Sequence, residues 1–382
     1  MVGLVTMGGC TASEALRAGR LIASGDAAGA GRWAAEKGVG YALNPAQLEA
    51  DVKRFAARLA AFRDAVGGVW GKDNVRESEP KTYVKYTQNY LSRAQVDFDK
   101  GLITVETMDS TDPQTSLKNA IVTTLLTPFD PRGMDLWSAG EVKLGETPFL
   151  LGEVRDFDGQ NVRYMWRAER FADQLVRRQR SMRQVKVDGT YRTVHTVEIP
   201  MVADHVHIRA RKYKPHVDRY AAQYGISANL VFAVIKTESD FNPWAVSPVP
   251  AYGLMQVVPK TAGADVYTFL NGKQGYPSSD LLYQPEDNIR YGTAYLHLLG
   301  SRYLAGIANP VAREYCVIAS YNGGMGTVLR TFHANRSKAV EIINGMSPQE
   351  VYEKLVRYLP YQETRRYLGK VVSARRDFVG LQ

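Results

Sequence analysis

Little in this 382-residue chain points to metal or redox chemistry, since it holds two cysteines and six histidines. No histidine pair has the HExxH spacing, and His205-Val206-His207 lies in a strand-like run. Two histidines need further ligands to hold an ion, so no metal site and no cofactor are expected. No run of about 20 apolar residues occurs, which excludes a bilayer-spanning helix. Internal repeats are absent. Charge of one sign does not dominate: 48 Lys+Arg stand against 39 Asp+Glu, a net +9. That excess favours anionic partners such as cell-wall polymer, phospholipid or nucleic acid. It gathers at Arg177, Arg178, Arg180, Arg183 and Lys186, and at Arg209, Arg211, Lys212 and Lys214. Both clusters read as a solvated helix face and strand end. No finger spacing or aromatic-rich recognition motif accompanies them, so nucleic acid is not an expected partner.

The remaining composition, 45% hydrophobic and 23% charged, suits a globular protein with room for two domains. Residues 1–10 are apolar and uncharged, with Gly8 and Gly9 before Cys10. They resemble the end of a bacterial lipoprotein signal, in which the cysteine is acylated. Met7 stands where leucine is usual, and the basic n-region and much of the apolar core are missing, so the leader reads as truncated. An unmodified N-terminus is the alternative. Residues 11–45, rich in alanine and glycine, read as a tether with some helix.

Residues 46–205 read as an α+β domain. Helical spacing runs through 46–66, 116–126 and 169–183. Val96 and Phe98, then Asp99-Lys100-Gly101, then Ile103 and Val105 predict one hairpin. Val185 and Val187, then Asp188-Gly189, then Tyr191, Val194 and Val197 predict another. Residues 206–382 read as an all-α domain. Ser347-Pro348-Gln349-Glu350 is a full helix start, and 287–303 a further helix. Cys316 reads as a small buried residue of the helix that starts at Asn309-Pro310.

Within the second domain one carboxylate stands out. Glu238 closes an apolar face made by Val231, Val234 and Ile235. Gly225 ends the preceding helix, Ser227 can cap this one, and Asn242-Pro243 stops it. Partial desolvation would raise the carboxyl above its ordinary range, as a general acid requires. Asp240, two residues on, points to another face and reads as a surface or capping residue. The proline-rich stretch from Ala245 to Pro259 reads as a rigid loop carrying Ser247 and Gln256, neutral groups suited to sugar hydroxyls and N-acetyl groups. Tyr321 and Asn322 end another apolar helix, where Gly323 or Gly324 can take a left-handed conformation. Tyr252, Tyr321, Tyr358, Tyr361 and Tyr367 could stack on sugar faces.

Glu238-Ser239, Gly253-Leu254-Met255-Gln256, Ala319-Ser320-Tyr321-Asn322 and Glu363-Thr364-Arg365-Arg366-Tyr367, in that order, resemble the signature of the soluble-lytic-transglycosylase family. These are goose-lysozyme-like enzymes that cleave peptidoglycan. The resemblance covers roughly residues 210–380 and departs at Ser320, where many relatives have alanine. It implies a lysozyme-like fold for the helical domain, with glycan strands as substrate. Glu238 would be the sole acid/base and Ser247 would sit beside the substrate N-acetyl group. Tyr252, Met255, Gln256, Tyr321, Asn322, Glu363 and Tyr367 would line the cleft. The bond between N-acetylmuramic acid and N-acetylglucosamine would be broken without water, leaving 1,6-anhydromuramoyl ends. The α+β domain resembles the one that precedes the catalytic domain in membrane-bound relatives. With Thr11 after it, an acylated Cys10 would place the chain on the periplasmic face of a Gram-negative outer membrane. A hydrolytic lysozyme on the same fold, and a catalytically silent wall-binding protein, are the alternatives.

Overall fold

The computed structural model describes residues 45–145, 147–247 and 251–381; Cys10 and residues 11–44 of the expected tether lie outside the described residues. The chain divides into two compact units: a mixed unit of residues 56–212 with 240–245, and a helical unit holding 213–239 and 246–382. An α+β region followed by an all-helical one is the class expected from the sequence.

In the mixed unit, helix α1 (Pro45–Trp70) precedes strands β1 (Thr82–Thr87), β2 (Ser92–Asp97) and β3 (Leu102–Thr107). Helices α2 (Pro113–Leu125) and α3 (Met165–Gln179) follow, then strands β4 (Ser181–Val187) and β5 (Thr190–Pro200). The five strands form one antiparallel sheet in the order β1-β2-β3-β5-β4. Both expected hairpins are present. Asp188 and Gly189 turn β4 into β5 with φ of 46° and 84°, the left-handed pair that suits the twist of a two-residue hairpin. Helix α3 stops at Gln179, short of the expected 183, because Arg180 is extended and residues 181–183 join β4.

Each sheet face has its own core. Val96, Phe98, Ile103, Val105 and Ile199 pack with Leu117 and Ile121 of α2 and Phe171 and Leu175 of α3. On the other face Val84, Tyr86, Val185 and Val194 meet Phe62, Val66 and Trp70 of α1. Strand β1 gives no sequence signal, for two reasons. Its turn into β2 uses Gln88, Asn89 and Tyr90 at positive φ, without glycine. Its Lys85 is buried, with Nζ donating to the Asp135 and Ser138 carbonyls at 2.7 and 2.8 Å. Burial lowers the Lys85 ammonium to about 8.

Three charged groups that looked solvated are not. The His205-Val206-His207 run and the basic residues after it are helical, within α4 (His205–Tyr224), rather than strand-like. Helical spacing turns Arg209 inward, fully buried, against Glu153 at 2.7 Å, and Lys212 reaches the same carboxylate at 2.6 Å. The Arg209 guanidinium also lies over the Phe98 ring at 4.6 Å. Only Arg211 and Lys214 keep the outward role, pairing with Asp204 and Asp218. Asp240 is likewise buried, with Lys81 Nζ 2.5 Å from its carboxylate. Burial raises the Asp240 carboxyl above the ordinary range, and Lys81 opposes the shift. Asn242 and Trp244 anchor the same short segment, donating to the Pro80 and Pro131 carbonyls at 2.9 and 3.0 Å.

The helical unit contains α5 (Ala228–Ser239), α6 (Ala262–Asn271), α7 (Ser279–Leu282), α8 (Pro285–Leu298) and α9 (Pro310–Gly323). It closes with α10 (Met325–Phe332), α11 (Arg336–Asn344), α12 (Pro348–Tyr358) and α13 (Gln362–Ala374). Gly225, at φ 64°, ends α4 as expected. Asn309 caps α9, and Ser347 with Glu350 forms the capping box of α12. Helix α8 ends at Leu298, and a wider turn covers Leu299–Tyr303. Cys316 is buried, which pushes its thiol up to about 12.

Asp265 of α6 accepts from the Tyr303 hydroxyl at 3.1 Å, and burial lifts its carboxyl to about 6. A folded-state value above the unfolded one means that the native state holds the proton more tightly. Stability should therefore fall as pH rises from about 4 to about 6. Asp265→Asn keeps an acceptor for Tyr303 without the charge. Denaturant unfolding followed by circular dichroism should find the variant about 1–2 kcal/mol more stable than wild type at pH 7, and little different at pH 4.

Candidate active site

Helix α5 is buried on nearly every side, with Leu230, Val231, Phe232, Ala233, Val234 and Ile235 all in the core. The one-faced amphipathic pattern expected from the sequence is thus a central helix, apolar on every side from Leu230 to Ile235. Glu238 lies in its last turn at 8% exposure. The helix ends where Asp240 and Phe241 take left-handed φ of 49° and 62°, two residues ahead of Pro243. The Ser227 hydroxyl, at the other end, accepts from Arg375 Nη2 at 3.2 Å.

The segment after α5 is locked down residue by residue. Val246 and Tyr252 form one antiparallel bridge and Tyr252 and Val257 another. Ser247 is buried, and its amide and hydroxyl meet the backbone of Ala251 at 3.2 and 3.4 Å. Ser239 Oγ donates to the Leu254 carbonyl at 2.7 Å, which ties α5 to the Gly253–Gln256 turn. Gly253, at φ 70°, lies against Asn288 and the Leu282 carbonyl, so a Cβ there would fall 2.5 Å from both. Met255 is fully buried, and a Cβ added at Gly292 would collide with its sulfur. Met255 therefore offers packing and no surface to a ligand. Gln256, at φ 48°, donates its amide to the Gly253 carbonyl at 3.0 Å. Its Oε1 is buried and has no hydrogen-bond partner. Tyr252 is half-buried and meets Tyr283 edge-on at 5.2 Å.

Helices α9 and α13 bring two phenols to the same carboxylate. Tyr321 and Tyr367 are both buried, and Tyr321 donates to the Met255 carbonyl at 2.8 Å. Burial, then the charge of Glu238, raises both phenols well above their usual value. A contact with the Glu238 carboxylate adds to the shift at Tyr367. Both phenols therefore stay protonated at any physiological pH. Asn322 is buried beside Tyr321 in the chain, and Gly324 follows with φ of 77°. Thr364 packs so tightly on Gly323 that a Cβ there would lie 2.6 Å from its methyl group, which explains the small residue. Glu363 is exposed in the first turn of α13, where a carboxylate suits the helix dipole.

Sequence reasoning missed Asn288, which organises the turn. Fully buried on α8, it accepts from the Met255 amide at 2.8 Å and donates to the Tyr252 and Leu282 carbonyls, each at 2.7 Å. Its only sequence signal is an amide beside the inward-facing Ile289.

Tyr321→Phe removes one hydroxyl and leaves the Met255 carbonyl buried without its donor. A loss of about 1–2 kcal/mol in unfolding free energy is expected. Turnover on isolated murein should fall about tenfold, because the turn carrying Gln256 loses its tie to α9.

Two family models match the chain: the N-terminal domain of membrane-bound lytic murein transglycosylase C over residues 48–212, and the transglycosylase SLT domain over residues 216–344. The membrane-bound lytic murein transglycosylase C of Yersinia pestis (strain Pestoides F) is 45% identical over 329 residues, 86% of this chain and 90% of that protein. The protein of the same name from Yersinia pseudotuberculosis serotype O:1b (strain IP 31758) shows the same identity and coverage. Among solved structures, the 70 kDa soluble lytic transglycosylase of Escherichia coli is 28% identical, with a TM-score of 0.33, over 44% of this chain and 24% of that one. An inactive mutant of the lytic transglycosylase Slt from Pseudomonas aeruginosa gives 27% and 0.34 over the same shares. With both units matched in order and the identity sustained over nine-tenths of the relatives' length, the chain belongs to the membrane-bound lytic murein transglycosylase C family.

Proposed function

We propose that this lytic murein transglycosylase uses Glu238 as its single acid and base. The observation that carries the reading is the pairing of one buried carboxylate with two phenols held in the protonated state. Glu238 protonates the glycosidic oxygen between N-acetylmuramic acid and N-acetylglucosamine. The substrate's own N-acetyl oxygen meets the positive charge at the anomeric carbon. The Glu238 carboxylate then takes the proton of the muramic 6-hydroxyl, which attacks within the same molecule. The product is a 1,6-anhydro end, and Glu238 is again protonated. An internal hydroxyl has an effective concentration of about 10⁵ M or more, so the second carboxylate of ordinary glycosidases has no task left. Asp240, two residues on, is committed to Lys81.

Ser247 and Gln256 are the residues best suited to hold the N-acetyl groups. The unpaired Gln256 Oε1 is an acceptor waiting for an N–H or O–H. Tyr252 and Asn322 complete the polar lining, and Glu363 forms its outer rim. No helix among the described residues is long and apolar enough to cross a membrane. An acyl chain on Cys10, facing the periplasm from the outer membrane, is the mode of attachment that fits the sequence.

Isolated sacculi incubated with the purified chain should release soluble muropeptides ending in anhydromuramic acid, as read by mass spectrometry. Binding without release would overturn the reading in favour of a silent wall-binding protein.

A further inference from the structure

The mixed unit carries a surface that cleavage does not use. Twelve large apolar side chains are exposed among the described residues, and four of them fall between positions 157 and 166. Tyr164 is 56% exposed and Trp166 is 55%, with Met165 between them and Phe157 seven residues before Tyr164. They straddle the start of α3 and the turn before it. That turn is rigid. The buried Asp156 carboxylate accepts from the Asp158 and Gln160 amides at 3.0 and 2.8 Å and from Arg167 at 2.6 Å. Phe157 is thus displayed on a fixed tip, edge-on to the buried Phe171 at 5.3 Å.

Arginines rim this knob. Arg163, Arg167 and Arg178 lie over the rings of Tyr164, Trp166 and Phe157 at 5.7, 4.5 and 5.0 Å. Of the nearby acids, Asp156 pairs with Arg167 and Asp158 with Arg170 at 2.8 Å, and exposed Glu169 adds one negative charge that the arginines outnumber. Arg163 and Arg178 are exposed and have no carboxylate partner among the described residues. The surface charge is therefore net positive, carried by guanidiniums stacked on aromatic rings.

We infer that Phe157, Tyr164, Met165 and Trp166, with Arg163 and Arg178, form a docking face for an anionic phospholipid surface. Tyrosine and tryptophan have an apolar body and a polar tip, which suits the headgroup boundary. Unpaired arginines beside them are drawn to lipid phosphate, and their stems can lie along the apolar layer. A glycan platform is the less fitting alternative, because it needs open ring faces, and guanidinium groups already cover these. Such a face acts in addition to any acyl chain.

The test uses the full chain bearing Cys10→Ser, so that no acyl group contributes. The probe is vesicles of phosphatidylethanolamine containing about a third phosphatidylglycerol. Co-sedimentation should show binding that weakens with salt and is much reduced on phosphatidylcholine alone. Tyr164→Ser with Trp166→Ser should lower the apparent affinity about tenfold or more, and Arg163→Glu with Arg178→Glu should do the same. All variants should still cleave soluble glycan strands at the wild-type rate, which reports an intact fold. Failure of the wild type to bind vesicles, or equal binding by the variants, overturns the inference. So does Trp166-dependent retention on sacculi without vesicle binding, which would make the patch a glycan platform. A Glu238→Gln chain should bind vesicles as wild type does, so the two readings fail separately.

Discussion

Glu238→Gln should lower murein turnover by about 10³-fold or more, with the Kd for glycan strands close to wild type. Glutamine has nearly the same shape and keeps hydrogen-bonding groups toward Tyr367, but it has no proton to give and no basicity to take one back. In the proposed mechanism both proton steps go through this one side chain, so its loss would not be shared with a second carboxylate. The fold should be unharmed. Glu238 lies in the last turn of a helix whose preceding run, Leu230 to Ile235, is apolar and buried, and a neutral amide there costs no more to bury than a carboxyl. Thermal unfolding should show a Tm equal to or above that of wild type, the usual signature of a polar group kept for function at some expense of stability. Retention of even a tenth of wild-type turnover would place the chemistry on another residue.

Glu153→Ala should destabilise the mixed unit by about 3–5 kcal/mol. Glu153 is fully buried and is the shared partner of Arg209 at 2.7 Å and Lys212 at 2.6 Å. Deleting it leaves two cations in a site built for their neutralisation. Burial already pulls the Lys212 ammonium below its ordinary value, and Glu153 is the main opposing influence. Four of the five tryptophans, Trp70, Trp137, Trp166 and Trp244, lie in the mixed unit, and residues 213–239 and 246–382 contain none. Denaturant unfolding followed by their fluorescence therefore reports the mixed unit. Glu153→Gln, which keeps the shape and one acceptor, should lose less. A midpoint unchanged from wild type in the alanine variant would show that the pair contributes nothing.

What the sequence made legible was whatever depends on neighbours in the chain. Val96, Phe98, Ile103 and Val105 alternate around a glycine turn, and the hairpin is there. Ser347 and Glu350 are three residues apart, and the capping box is there. Glu238 was visible because a charge in line with the apolar face of Val231, Val234 and Ile235 breaks a local rule. Long-range neutralisation was not visible. Lys85 interrupts an apolar pattern and conceals β1, because its two carbonyl partners lie some fifty residues downstream. Asp240 and Arg209 read as surface charges, because Lys81 and Glu153 are remote in sequence. Asn288 carries no motif, yet it ties together the turn that holds Gln256. Met255 belongs to the same four-residue motif as Gln256, but the motif alone does not distinguish a residue that only packs the turn from one with an unpaired polar group. Its contact with Gly292 makes that distinction.

The most direct test of a single acid/base working without water is to digest sacculi in water enriched in heavy oxygen and weigh the released muramoyl ends. If Glu238 returns the charge by activating the sugar's own hydroxyl, those ends carry no label and each is lighter than a hydrolysed one by a water molecule. Heavy oxygen at the anomeric position would mean that solvent was the nucleophile, and the mechanism assigned to Glu238 would be wrong.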